Sequence, residues 1–107
     1  MIIDTDILIE RVKENKKIDA NITIVNSIEY PPVLTYEKFE GEIYTISPDD
    51  QILALRIQRK LRKVGKPKSV PDILIASISI NRDEKLYTND DDFEDIENIS
   101  QLEFYKS

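Results

Sequence analysis

Apolar residues along the chain fall into short runs and helix-spaced stripes, separated by acidic or proline-bearing breaks. Met1 to Ile3 has the character of a short buried strand. Asp4-Thr5-Asp6 interrupts it before Ile7, Leu8, Ile9 and Val12 resume at helical spacing, so the pattern predicts strand, acidic turn, helix. Asn15-Lys16-Lys17 closes that helix. Ile22, Ile24 and Val25 predict a second strand, because β-branched side chains suit extended backbone. Pro31-Pro32 bars a helix before it, and Val33 to Gly41 is predicted as a short helix ending near its glycine, with Glu37 in its interior.

Ser47-Pro48-Asp49-Asp50 is a strong helix start: a serine cap, proline in the first turn, and acids against the positive end of the helix dipole. Ile52, Leu53, Leu55, Ile57, Leu61 and Val64 supply its apolar stripe, and Gly65 stops it. Beyond Pro67 and Pro71, the segment Ile73 to Ile80 predicts a helix apolar on most sides, which places it centrally. Leu86-Tyr87-Thr88 predicts a strand that delivers Asn89-Asp90-Asp91-Asp92 at its carboxyl end. A short helix around Phe93 and Ile96 and an edge strand over Leu102 to Tyr105 complete the series. Strands alternating with helices favour an α/β domain with a parallel sheet and helices on both faces, in which ligand sites gather at the carboxyl ends of the strands.

The length of 107 residues suits a single domain, residues 1–107. No apolar run reaches the roughly 20 residues of a membrane span and no secretion signal stands at the amino terminus, so the expected location is cytoplasmic, with no membrane partner. The chain has neither cysteine nor histidine. That removes disulfides, thiolate nucleophiles, imidazole bases and the usual nitrogen or sulfur metal ligands. A metal here must be held by oxygen, which points to hard cations such as Mg²⁺ or Mn²⁺. The net charge of −6 argues against a surface that is basic overall, but Arg56, Arg59, Lys60, Arg62, Lys63, Lys66 and Lys68 concentrate positive charge in one stretch.

Four acids stand out. Singly, each has an ordinary explanation: Asp4 as a helix cap, Glu37 as an exposed helix acid, Asp72 as the partner of Ser69 in a capping box, Asp90 as part of a solvated turn. In combination they are harder to dismiss, because Asp4, Asp72 and Asp90 lie where apolar elements emerge. Carboxylates gathered in space repel one another unless a cation offsets them.

Ile2-Ile3-Asp4-Thr5-Asp6, Glu37 with Gly41 four residues on, Pro71-Asp72-Ile73-Leu74-Ile75-Ala76, and Thr88-Asn89-Asp90-Asp91-Asp92-Phe93 resemble the four blocks of PIN-domain nucleases, and among them the VapC toxins of toxin-antitoxin pairs. The resemblance runs in order over nearly the whole chain. It implies a Mg²⁺- or Mn²⁺-dependent endoribonuclease whose Asp4, Glu37, Asp72 and Asp90 are the catalytic, metal-holding acids. Thr5, Asp6, Thr88 and Asp92 are auxiliary. Glu40 competes with Glu37, and Asp92 with Asp90. Arg56, Arg59, Lys60, Arg62 and Lys63 would contact RNA phosphates, with Tyr36 or Tyr44 stacking on bases; a solvated helix face and ordinary packing explain the same residues. A cognate antitoxin and a homodimer are the partners so implied. The alternatives are a catalytically inactive PIN-like module that binds RNA or protein, and a phosphotransferase of the haloacid-dehalogenase type suggested by Asp4-Thr5-Asp6. The latter is disfavoured by Leu8, which stands where that motif carries Thr or Val.

Overall fold

A computed structural model describes residues 1–106. Its elements are β1 (Ile2–Ile3), α1 (Thr5–Lys13), β2 (Ile22–Thr23), α2 (Ile24–Glu29), a 3-10 turn (Pro31–Thr35), β3 (Ile43–Tyr44), α3 (Pro48–Lys63), α4 (Val70–Asn81), β4 (Leu86–Tyr87), α5 (Asp92–Ile99) and β5 (Phe104–Tyr105). All pairings are parallel: β1 with β4, β4 with β5, and β2 with β3. A bridge between Ile2 and Asn21 joins the two ladders, giving the spatial order β3-β2-β1-β4-β5. The expected α/β architecture is therefore present.

The two-residue period of the strands divides the core. Ile2 pairs in register with Leu86, and both enter an apolar layer with Ile57, Leu61, Ile73, Ile78, Phe93 and Ile96 from α3, α4 and α5. Ile3, paired with Tyr87, points the other way into a second layer with Ile7, Leu8, Ile18, Ile22 and Val33. Helices thus cover both faces. The central role expected of Ile73 to Ile80 holds: Ile75, Ala76 and Ile78 are fully buried. Ser77 and Ser79 go in with them because each hydroxyl donates 2.8 Å back to a carbonyl one turn earlier.

Helix α3 starts as expected, with Ser47 and Asp50 exchanging capping hydrogen bonds. Asp50 does more than meet the dipole. Its fully buried carboxylate accepts 2.8 Å from Asn81 Nδ2 and 3.1 Å from Arg82 at the far end of α4, locking the two helices as an antiparallel pair. Burial pushes this carboxyl up, but the Ser47 amide, Asn81 and Arg82 outweigh it and hold it below its ordinary value. Gly65 ends α3 with φ +74, as its position suggested.

Two segments differ from the sequence reading. Ile24 and Val25 continue into helix rather than strand: Thr23 caps α2 in a reciprocal exchange with Asn26, a local signal stronger than β-branching. The segment from Val33 to Gly41 is not a helix. The 3-10 turn ends at Thr35, Glu37 and Lys38 form a turn, and Phe39 bridges Ile18. Gly41 is required here for close approach and not as a helix stop, since a Cβ would lie 1.8 Å from the Ala20 carbonyl oxygen.

Candidate metal centre

Asp4 leaves β1 at its carboxyl edge and caps α1, its Oδ1 accepting 2.8 Å from the Thr5 amide. Its ordinary explanation as a helix cap thus holds, and the cap stands at the edge where the sheet's strands end. The residue is 7% exposed. Oδ1 also accepts from Asn26 Nδ2 at 3.3 Å, and Oδ2 accepts from the Thr88 hydroxyl at 2.7 Å. Burial raises the Asp4 carboxyl above its ordinary value; Thr88 and Thr5 oppose this, while Asp6 and Glu29 add to it.

Thr88 emerges from β4, the strand beside β1, so the parallel register delivers its hydroxyl to Asp4. The same oxygen accepts 3.1 Å from the Asp90 amide and so fixes the turn that follows. Asp90 in turn accepts 2.9 Å from the Asp92 amide. Asp6 accepts 2.9 Å from the Asn89 amide, tying the start of α1 to this turn. Thr5 donates 2.7 Å to Glu29 and accepts 3.0 Å from Asn26. The hydroxyls of Thr5 and Thr88 thus each donate to a carboxylate, that of Glu29 and that of Asp4 respectively.

Asp72 sits in the first turn of α4, beside the Asp90 turn. Among the described residues, Asp72, Asp90 and Asp92 form a group of three whose ligand oxygens lie within 4.8 Å of one another. Burial, foremost, drives the Asp72 carboxyl up to about 6; the Ser69 hydroxyl opposes this, and the charges of Asp90, Asp4 and Asp92 add to it. Asp92, read as auxiliary, is thus inside the cluster. Asp4 is adjacent, coupled to Asp72 by charge.

Glu37 is not brought to these acids. The Tyr36 hydroxyl donates 2.6 Å to the Lys16 carbonyl and Lys38 Nζ donates 2.9 Å to the Asn15 carbonyl, which holds the 36–38 turn beyond the far end of α1. At 1.5 Å per residue, the length of that helix separates this end from Asp4 by about 13 Å. Glu40 is likewise turned to Lys17 there, at 2.9 Å. The glutamate at the site is Glu29, at the last residue of α2, bonded to Thr5 and acting on Asp4 by charge. Sequence reasoning missed it because Ile24 and Val25 read as strand; Thr23 and Asn26 at capping distance were the available signal.

The five cations proposed for RNA are all exposed on α3, and none is drawn into an ion pair among the described residues. They divide between two faces. Arg59, Arg62 and Lys63 line an open groove with Gln58, while Arg56 and Lys60 flank a second one beside Ile80 and Ile99. Tyr36 and Tyr44 have structural partners: Tyr44 accepts 3.0 Å from Asn21 and lies 5.1 Å beneath the Arg82 guanidinium. Its hydrogen bond to Glu84, followed by burial, pushes the phenol up to about 12.

No protein-family model matches the chain, and comparison with curated proteins yields no significant relative. Solved structures do match. A chain of the DNA-bound VapBC structure from Salmonella typhimurium superposes with a TM-score of 0.77 at 17% identity, covering 98% of this chain and 96% of that one. FitAcB from Neisseria gonorrhoeae gives 0.76 at 15%, covering 97% and 95%. VapBC2 from Rickettsia felis, bound to a DNA fragment from its promoter, gives 0.75 at 17%, covering 98% and 96%. The fold shared with these toxin-antitoxin structures extends over nearly the whole chain, in agreement with the resemblance read from the four acidic blocks.

Proposed function

We propose that this protein is a divalent-metal-dependent endoribonuclease, the toxin of a toxin-antitoxin pair, acting in the cytoplasm. The observation that carries the reading is the convergence of Asp72, Asp90 and Asp92 oxygens within 4.8 Å, next to the buried Asp4, at the carboxyl edge of a parallel sheet. The donor set is all oxygen and strongly acidic, which fits Mg²⁺ or Mn²⁺ and leaves few other options. Asp72 and Asp90 would hold the ion with Asp4 or Asp92, and Glu29 takes the place first assigned to Glu37.

A hard divalent cation supplies, in such a site, Lewis acidity toward a phosphoryl oxygen and a lowered pKa for water, without any imidazole. The chain's own residues do the positioning. Thr88 and Asn26 fix the orientation of the Asp4 carboxylate; the Asp92 amide fixes that of Asp90, whose backbone is held by Thr88. Asp72 and Asp90, which line the site, are placed to orient an attacking water. In-line attack on a phosphodiester would leave a 5′-phosphate and a 3′-hydroxyl. Arg59, Arg62 and Lys63, at the end of α3 beside the start of α4, are the best placed of the five cations to hold the RNA backbone.

Neighbours of the same fold are components of VapBC and FitAB assemblies, which supports a cognate antitoxin as partner. The exposed Ile52 and Leu55 on α3 and Val70 on α4 offer apolar surface for a second copy of the chain. Among the described residues, no helix is long and apolar enough to cross a membrane.

The test is cleavage of a mixed RNA pool with Mg²⁺ or Mn²⁺, with EDTA and Asp4→Asn as controls. Cleavage that needs the metal and is lost in Asp4→Asn is expected. Metal-dependent cutting that survives Asp4→Asn identifies a contaminant, and no cutting under any condition overturns the nuclease reading.

A further inference from the structure

Beside the three clustered carboxylates stands one fixed positive charge that the nuclease reading does not use. Residues 64–69 connect α3 to α4, and within them Lys68 is held from both sides by a single amide. Gln58 Nε2 donates 2.7 Å to the Lys68 carbonyl, and the Lys68 amide donates 3.1 Å to Gln58 Oε1. With its backbone so gripped, the Lys68 side chain is only 12% exposed. Its ammonium lies 2.7 Å from Asp95 Oδ2 and 3.6 Å from Asp92 Oδ1.

Most surface ion pairs contribute little, because two long side chains must be ordered at the moment they meet. Here the backbone of one partner is already held and its side chain is largely covered. Lys66 reaches Asp95 as well, at 3.4 Å, but does so from an exposed position and does not reach Asp92. Lys68 is therefore the cation that bears on the cluster itself, through Asp92.

We propose that Lys68 occupies the place of a second cation, so that the acidic site takes one divalent ion while the Lys68 ammonium holds Asp92. This rests on the metal-dependent reading above. An ion bound at the Asp92 oxygen, with a bond of about 2.1 Å, would come within about 6 Å of the ammonium, since 3.6 Å already separates that oxygen from Nζ. At that distance the repulsion between a double and a single charge weakens binding about tenfold even in water. Asp72 and Asp90, the other two members of the group, are left to hold the first ion. Lys68 is on this account a positioning residue that sets metal stoichiometry.

The experiment counts Mn²⁺ bound to the full chain, by electron paramagnetic resonance of the free ion, after removal of all metal. One ion per chain is expected. Lys68→Met and Lys68→Gln, which remove the charge and keep much of the stem, should each bind a second ion about tenfold more tightly than the parent does, so that at free Mn²⁺ between the two affinities they hold two ions where the parent and Lys68→Arg hold one. Asp92→Asn added to Lys68→Met should expel the second ion again. Two ions on the parent protein, or an unchanged count in both charge-removing variants, overturns the assignment to Lys68 and leaves the nuclease reading standing. A parent protein that binds no Mn²⁺ overturns both.

Discussion

Replacing Asp72 by Asn should stabilise the metal-free protein at neutral pH, although it removes a central acid of the site. In the folded chain the Asp72 carboxyl is raised from 3.8 to about 6, chiefly by burial, with Asp90, Asp4 and Asp92 adding to it. A displacement of that size sets a ceiling of about 3 kcal/mol. Because the side chain is only half-buried, screening by water and salt reduces the expected penalty to about 1 kcal/mol. The sign follows from proton binding. Between 3.8 and about 6 the native state holds a proton that the unfolded chain has released, so the metal-free parent loses stability as pH rises and stays at the lower level above about 6. Asn carries no charge and escapes this loss. In EDTA, Asp72→Asn should melt several degrees above the parent at neutral pH, given roughly 4–8 °C per kcal/mol for a domain of this size, and the gap should close near pH 4. Saturating Mn²⁺ should reverse the order, because it binds the folded parent more tightly than the variant. A variant less stable than the parent without metal at neutral pH, or a gap that ignores pH, would refute the claim that burial, helped by the neighbouring acids, penalises the ionised Asp72.

Two further outcomes are expected. Glu29→Gln should slow metal-dependent RNA cleavage by about tenfold or more, whereas Glu37→Gln should leave the initial rate within about twofold; the opposite ranking would restore Glu37 to the site. Thr88→Val deprives the buried Asp4 of its 2.7 Å hydrogen bond and the Asp90 amide of its acceptor, so urea denaturation should show a loss of about 1–3 kcal/mol. In the same variant Mn²⁺ titration should show affinity about 10- to 100-fold weaker, while Thr88→Ser keeps both properties near the parent.

What could be read along the chain was whatever neighbouring residues settle among themselves. The cap and first turn at Ser47 to Asp50, the stop at Gly65 and the apolar helix opened by Asp72 depend on backbone groups a few residues apart. So did the placement of Asp4 and Asp90 just beyond strands, from which a parallel sheet brings both to one edge. Three outcomes belonged to the tertiary structure. Helix α2 prevailed over the strand preference of Ile24 and Val25: its Thr23–Asn26 cap is local, but the burial of Val25 in the core shared with α4 is tertiary. That helix carried Glu29 to Thr5, and the anchoring of the 36–38 turn to Asn15 and Lys16 carried Glu37 away. Asp50 read only as an acid of a helix start and Lys68 as one of a basic stretch, yet packing buried one against Arg82 and set the other against Asp92 and Asp95. Caps and periodicity are short-range and leave a mark on consecutive residues. The meeting of charges 24 to 32 positions apart is decided by how whole helices and strands dock, and only the folded chain records it.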